Sequence, residues 1–374
     1  MNKSLVKKIV ITVLVVVLIA AASVAVYSMN KKEVAEEPKK EPKKVEKVEE
    51  PEPEEDKEEP EPANMNVLTG LGTLTDEAIG KRPVAVMVNN VPQAMPQYGI
   101  SAADVIFEIP VEADNTRLMA MYGDYTQIPQ ICPIRSLRSY FASYATGFDA
   151  FLVHWGKDDS MDEYFDALGL DRYDGISGAG GFFGRDQDKL NQGYALEHTG
   201  YFDGTKFANV VQSEGKRLEL GDDFKGGAFY FNPVNKEEPA GEEKCTSVNI
   251  NFGAQSSQFT YDEATKTYKK NMNGSPQIDA KTNEQLSFKN VLVLETSITV
   301  RDEVGHKDID WDGSHDAVGY YISNGTMKKI AWWKSENNEW SRLSFADRET
   351  GEGVPINRGK TYVAVNYANQ ASFE

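Results

Sequence analysis

Ionisable side chains interrupt two apolar stretches in the first half of the chain, and their types favour chemistry with anions. Glu108 and Glu112 lie within DVIFEIPVE, and Arg117 opens the next apolar stretch. Arg135 and Arg138 flank the start of a helical pattern, where the helix dipole opposes positive charge. Two arginines there require carboxylate partners, or an anion bound together with the helix N-terminus. The pattern therefore predicts either a structural Arg–Glu network or an anion-binding or catalytic pocket.

Four further residues are predicted to line such a pocket. Arg185 and Asp186 follow a glycine-rich loop, His154 ends a strand-like stretch, and His198 lies shortly beyond. Each of these residues alone is also compatible with a purely structural role.

A carboxylate-dependent hydrolase acting on cell-wall glycan is the alternative function. Pro110 lies between Glu108 and Glu112 and argues against a helix there. On a strand the two carboxylates would be roughly 13 Å apart, beyond the roughly 5–9.5 Å that glycosidases use. Such an enzyme would therefore need one of them paired with Asp158, Asp186 or another acid.

No metal or cofactor site is predicted. The segment from Asp308 to Asp312 copies the start of a calcium loop, but its twelfth position is Gly319 rather than glutamate. The four histidines show no zinc spacing. Residues 178–184 lack a dinucleotide fingerprint, and residues 213–216 lack the companion motifs of serine–lysine enzymes. Cys132 and Cys245 leave one disulfide open as an option.

The elements that position these residues form an α+β fold. A mixed α/β domain is predicted over residues 65–232, with strands at 84–88, 104–111, 116–122 and 150–155 and helices at 136–146, 160–168 and 206–216. A linker at 233–245 precedes a smaller, mainly antiparallel β domain at 246–374. Its strands are predicted at 246–252, 258–261, 267–270, 290–300, 318–323, 329–334 and 361–365.

The N-terminal residues predict export and attachment to a membrane. Residues 1–8 carry three lysines and no acid, and residues 9–29 contain no charge. A stretch of that length spans a bilayer, and the flanking lysines keep its start in the cytoplasm. A cleaved signal peptide ending near Ala25 is the alternative, which also exports the chain. Residues 30–64, rich in Glu, Lys and Pro, predict a disordered stalk.

The charge balance limits the partners of the folded part. The whole chain carries −18; three lysines of residues 1–8 and a net −6 in the stalk leave −15 on residues 65–374. Such an acidic domain does not bind nucleic acid through bulk electrostatics. An anionic ligand would need a local basic site.

Several longer motifs resemble those of one protein family. They lie at 82–90, 96–105, 108–112, 116–120, 133–138, 149–154, 261–268, 290–293 and 355–361. In these motifs the chain is similar to the YerB-like family of exported bacterial lipoproteins, a two-part domain of unknown function. The chain departs from that pattern at Met95, at residues 113–115, and in lacking a lipid-attachment cysteine. A protein anchor is therefore expected to replace the lipid.

Together these observations predict a single-pass membrane protein whose folded part lies outside the cytoplasm. The expected activity is non-enzymatic binding of a cell-wall or peptide ligand in the Arg/Glu pocket, without a cofactor.

Overall fold

Strands are more extensive than helices in the computed structural model, which describes residues 59–335 and 338–374. Its α-helices are α1 (Ser139–Thr146), α2 (Asp162–Leu168), α3 (Gln187–Asn191) and α4 (Phe207–Ser213). The strands of the first half are β1 (Val84–Asn89), β2 (Val105–Pro110), β3 (Thr116–Tyr122), β4 (Gln130–Ile131), β5 (Phe151–His154), β6 (Arg172–Asp174), β7 (Phe183–Arg185) and β8 (Gly200–Asp203). Those of the second half are β9 (Glu243–Lys244), β10 (Ser247–Asn251), β11 (Ser256–Asp262), β12 (Thr267–Met272), β13 (Ser275–Pro276), β14 (Ser287–Phe288), β15 (Asn290–Thr296), β16 (Ile298–Val300), β17 (Lys307–Ile309), β18 (Gly313–Ser323), β19 (Thr326–Trp333), β20 (Ser344–Asp347), β21 (Thr361–Tyr367) and β22 (Ala371–Phe373).

One eleven-stranded sheet contains strands from both halves of the chain. Its order is β20-β19-β18-β15-β21-β2-β3-β1-β5-β6, with β9 beside β19. The halves meet where β2 and β21 pair in parallel, from Val105 opposite Thr361 to Glu108 opposite Ala364. We call this sheet the main sheet. The linker predicted at 233–245 contributes β9 to it.

The remaining strands form smaller sheets. A six-stranded second sheet has the order β13-β12-β11-β10-β22, with β14 beside β12. The predicted hairpin of β11 and β12 pairs Tyr261 with Tyr268. Two further units are the β16–β17 hairpin and the three strands β4-β8-β7. The predicted combination of a mixed α/β part with a β-rich part is confirmed, and sheet predominates over helix.

The central strands of the main sheet are buried on both faces, which explains their continuous apolar character. On β1, Ala85 and Met87 belong to the core that packs on α1. Val84, Val86 and Val88 belong to the opposite core, which includes the second sheet. A strand enclosed in this way shows no polar alternation.

Helix α1 begins three residues later than the predicted 136–146, because the preceding segment forms bridges to strands instead. Ile134 pairs with Val88, and Leu137 pairs with Lys157. Arg138 is extended at the N-cap position of α1. Arg135 consequently lies outside the helix, and the argument from the helix dipole does not apply to it.

The N-terminal predictions fall largely outside the described residues. The predicted anchor at 9–29 lies outside them, as does the stalk up to residue 58. Within residues 59–335 and 338–374, each helix is too short or too polar to span a bilayer. The end of the predicted stalk contacts the fold, since Glu61 and Arg358 form an ion pair at 2.6 Å.

Candidate functional site

The structure distributes the predicted site residues over separate places. One carboxylate lies in the interior, one group forms a largely buried ion cluster, and two arginines line a cavity. These are Glu108; Glu112 with Arg117 and Arg138; and Arg135 with Arg185.

Glu108 lies fully buried on β2, between the main sheet and the second sheet. Amide and hydroxyl donors hydrogen-bond both carboxylate oxygens, from Asn90 (2.9 Å), Thr116 (2.7 Å), Ser257 (2.5 Å) and Tyr362. The Lys270 Nζ, also fully buried, lies 3.9 Å from the same carboxylate. With its oxygens occupied, Glu108 is not placed to hold a reacting water.

Glu112 lies beyond the end of β2, in a short 3₁₀ turn. Its Oε1 accepts a 2.5 Å hydrogen bond from the Arg138 Nε, and its Oε2 lies 3.7 Å from the Arg117 Nη2. Burial opposes ionisation of Glu112, but the Arg138 hydrogen bond and the Arg117 charge hold its pKa below the usual value. Burial and the charge of Arg138 lower the pKa of Arg117 to about 9. Arg117 and Arg138 therefore interact with a carboxylate that has a structural role.

The second half of the chain completes this Glu112 cluster. Arg301 forms an ion pair with Asp158. The His306 Nδ1 lies 2.7 Å from an Asp302 oxygen, and its Nε2 lies 3.9 Å from Glu112. Arg301 and His306 were not predicted as part of this group, because they follow the Arg/Glu motifs by more than 150 residues without a recognisable pattern. The cluster joins the β16–β17 hairpin to the first half of the chain.

Arg135 and Arg185 line one cavity of about 670 Å³. Arg135 belongs to the extended segment before α1, and Arg185 ends β7. Trp155 and Lys157, which follow β5 directly, add an aromatic wall and a third cation. We call this space the arginine cavity. It lies at the edge of the main sheet formed by β5 and β6 and opens to solvent.

The cations of the arginine cavity differ in their partners. The Arg135 Nη2 lies 3.1 Å from Glu197, and the Lys157 Nζ lies 2.9 Å from Asp159. Arg185 forms no ion pair with any described carboxylate. Its guanidinium stacks on the Trp155 ring at 3.9 Å and donates a 2.5 Å hydrogen bond to the Leu196 carbonyl.

Three carboxylates also line the arginine cavity, but none of them pairs with Arg185, whose surroundings therefore favour an anion. Burial and the nearby charge of Arg135 lower its pKa, which means that its positive charge is poorly compensated. An anion between the two arginines would relieve this repulsion and accept hydrogen bonds from both.

His154 lies in the interior beside the arginine cavity rather than in its wall. It is fully buried, and its Nδ1 lies 2.9 Å from the Gly156 carbonyl, to which it donates. Burial lowers the pKa of His154 to about 4, although Asp174 opposes the shift. The side chain is therefore neutral at pH 7 and fixes the turn after β5.

Asp186 and His198 likewise have local structural partners. Asp186 caps α3, accepting a 3.0 Å hydrogen bond from the Lys189 N–H, and also accepts one from the Tyr98 hydroxyl at 2.9 Å. The His198 Nδ1 lies 3.0 Å from the Asn89 amide nitrogen. Neither residue is among those that line the arginine cavity.

The described residues contain no group of three or more His, Cys, Asp or Glu side chains arranged to hold a metal ion. The calcium-like segment forms part of β17, with Ile309 buried and Asp308 exposed. Cys132 and Cys245 are both buried and free. Burial raises the pKa of each thiol to about 11.

Comparison with known proteins identifies the family. Residues 68–217 match the N-terminal domain of the protein of unknown function DUF3048, and residues 248–363 match its C-terminal domain. The chain is 27% identical to "Putative lipoprotein YerB" of Bacillus subtilis over 304 residues, 80% of this chain and 85% of that protein.

A solved structure of YerB protein from Bacillus subtilis shares the fold. It superposes with a TM-score of 0.68 at 24% identity, covering 82% of this chain and 98% of that chain. The family matches, the relative and the fold agree, and the chain belongs to the YerB-like family, whose two parts are the DUF3048 N-terminal and C-terminal domains.

Proposed function

We propose that this chain is a membrane-anchored, extracytoplasmic protein of the cell envelope whose arginine cavity binds a peptide through a free carboxylate. The anchor is the segment at 9–29, and the stalk holds the folded part away from the membrane. No chemical reaction is part of the proposal.

The observation that supports it most is the state of Arg185. Its charge lies near that of Arg135 and lacks a carboxylate partner among the described residues, while Trp155 holds the guanidinium plane in place. A planar guanidinium fixed in this way is suited to paired hydrogen bonds with a carboxylate.

The apolar parts of the cavity favour a peptide over a simple anion. Ile176 lines the cavity and is 73% exposed, which is unusual for a large aliphatic side chain without a partner. Leu196 lines the same cavity and is 60% exposed. A ligand with a carboxylate and an adjacent small apolar side chain would contact both features.

The alternative, a glycan hydrolase, has less support. Such an enzyme needs a carboxylate that can exchange protons or hold a water. Glu108 is surrounded by hydrogen-bond donors and Lys270, and Glu112 is paired with Arg138. Asp158 is paired with Arg301, and Asp186 caps α3.

Calorimetric titration of the full-length chain in mild detergent tests the proposal. The probes are a short alanine-terminated peptide with a free carboxylate, and the same peptide with a C-terminal amide. We expect the amide and the Arg185→Gln variant each to weaken binding at least tenfold. Arg172→Gln is the matched control, since Arg172 lies on β6 outside the cavity lining.

Equal binding of the acid and the amide would contradict recognition of the carboxylate. Equal binding by Arg185→Gln and the unmodified chain would contradict the assignment to this cavity. If neither peptide binds, the proposed function is refuted.

A further inference from the structure

A second cavity lies at the opposite edge of the main sheet, beside β19 and β20. Its volume is about 630 Å³. The segment 226–230 forms one wall, and residues of β18, β19 and β20 form the others. We call it the aromatic cavity. None of the residues that line the arginine cavity lines this one.

Several aromatic rings line this cavity. Phe229 and Phe345 form the floor, stacked with ring centroids 6.2 Å apart. At the rim, the Trp333 ring packs on His315 at 4.1 Å. Tyr230 is 72% exposed. Aromatic rings left open to water in a concave site are typical of ligand contact surfaces.

The charged groups at the rim are not arranged for an anion. The Arg342 guanidinium donates to the Asp223 carbonyl, and the Arg348 Nη1 donates to the carbonyls of Asp316 (2.7 Å) and Ala317 (3.0 Å). These carbonyls orient both guanidinium groups without neutralising them, and Asp347, which pairs with Lys328, adds a carboxylate to the same lining. The other N–H groups of both arginines have no partner among the described residues and can donate hydrogen bonds to neutral oxygens. The arginine cavity differs, because Arg135 and Arg185 repel each other there.

Two of the residues that line the aromatic cavity are the glycines Gly226 and Gly353. Neither Gly226 nor Gly353 has a positive φ, so the backbone does not require glycine at these positions. A Cβ added at Gly226 would meet only the Arg342 Nη1, at 3.7 Å, and one at Gly353 would meet nothing within 4 Å. Side chains would fit on the backbone, and at Gly226 a longer one would extend toward the lining residue Arg342.

We propose that the aromatic cavity binds a neutral oligosaccharide. A sugar ring has an apolar C–H face, which suits Tyr230 and Trp333, and a hydroxyl edge, which suits the free N–H groups of Arg342 and Arg348. A purely apolar ligand would leave those rim donors without partners. This site is separate from the arginine cavity and does not depend on the function proposed for it.

The main sheet fixes the distance between the two cavities. β19 and β5 are separated by seven inter-strand steps in the sheet order. At about 4.8 Å for each step, the cavities lie roughly 35 Å apart. A peptide and a sugar chain bound at these positions would be held by one rigid sheet.

Calorimetric titration of the full-length chain with hexa-N-acetylchitohexaose, cellohexaose and maltohexaose tests the inference. We expect at least one to bind, with affinity reduced tenfold or more by Tyr230→Ala and by Gly226→Leu. Val304→Ala is the matched control, because Val304 is 71% exposed and lines neither cavity. Arg185→Gln should leave sugar binding unchanged while it weakens binding of the peptide carboxylate.

Three results would overturn the inference. One is failure of all three sugars to bind, and another is sugar binding that both cavity variants leave unchanged. The third is loss of sugar binding in Arg185→Gln, which would assign the sugar to the arginine cavity.

Discussion

Replacing Glu108 by glutamine tests whether the buried carboxylate holds the two sheets together. The substitution keeps the shape of the side chain but removes its charge. Lys270 then stays fully buried, 3.9 Å from a neutral amide, with the Gln277 Oε1 at 2.6 Å as its remaining side-chain partner. The new amide N–H₂ also faces donors that formerly hydrogen-bonded an oxygen.

Breaking a buried ion pair by removing one partner costs about 3–5 kcal/mol. We therefore expect Glu108→Gln to lower the free energy of unfolding by about 4 kcal/mol. At roughly 2 °C for each kcal/mol in a domain of this size, Tm falls by roughly 8 °C. Urea unfolding at pH 7, followed by circular dichroism, measures the change. The exposed control Glu349→Gln should stay within about 0.5 kcal/mol of the unmodified chain.

The pH dependence gives an independent check. Burial lowers the pKa of Lys270 below its ordinary value of 10.5, while the charge of Glu108 opposes the shift. Without that charge, Lys270 releases its proton in the folded state at a lower pH. Between this lowered pKa and 10.5 the unfolded state binds more protons, so folding stability rises with pH. The deficit of Glu108→Gln should therefore shrink from pH 7 toward pH 10.

A double variant locates the effect. In a Lys270→Met background, Glu108→Gln leaves no unpaired lysine charge in the interior. The substitution should therefore lower the free energy of unfolding by about 2 kcal/mol less than it does alone. Strictly additive losses would refute the ion-pair reasoning, as would a Glu108→Gln variant as stable as the unmodified chain.

Two further predictions follow from buried ionisable groups. Burial lowers the pKa of His154 to about 4, so folding stability is lost as pH falls from about 6.5 toward 4. The loss is up to roughly 3 kcal/mol. Thermal unfolding at pH 7.5 and at pH 4.5 should show a smaller loss of stability for His154→Gln than for the unmodified chain, and an equal loss would contradict the assignment. Cys132 and Cys245 are free and buried, and their thiol pKa values are raised to about 11. A thiol reagent should therefore react slowly with the native chain and label two thiols after unfolding. A mass that shows a disulfide would contradict this prediction.

Local elements were predictable where a single pattern determined them. The strand predicted at 116–122 has the same bounds as β3, because turn residues limit a short apolar stretch there. The helix at 136–146 was placed too early. Its periodicity is right, but Leu137 pairs with Lys157 in a bridge that connects distant parts of the chain.

The pairing of β2 with β21 was not predictable from local sequence. Val105 and Thr361 are adjacent in the sheet but 256 positions apart in the chain. Apolar patterning shows that each strand is buried on both faces, but it does not identify the neighbouring strand. The predicted division into two domains therefore could not reveal a shared sheet.

The candidate site was predictable in part. Arg135 and Arg185 were assigned to one pocket, and both line the arginine cavity. The separation predicted for Glu108 and Glu112 assumed that the strand continues through Glu112, whereas β2 ends at Pro110 and the next turn contains Ala113 at φ 54°. Trp155 gave no separate signal, because an aromatic residue at the end of a strand is usually part of the core.

The parallel pairing of β2 with β21 has a consequence for cutting the chain. A break between residues 233 and 245 would divide the main sheet between two fragments. In one fragment β2 would become an edge strand, and in the other β21 would become an edge strand. Each fragment would expose a row of unpaired backbone N–H and C=O groups, which promotes aggregation. When the two fragments are produced together, β2 of one would pair with β21 of the other and satisfy these backbone groups. The two family domains would then behave as a split protein that reassembles only as a pair.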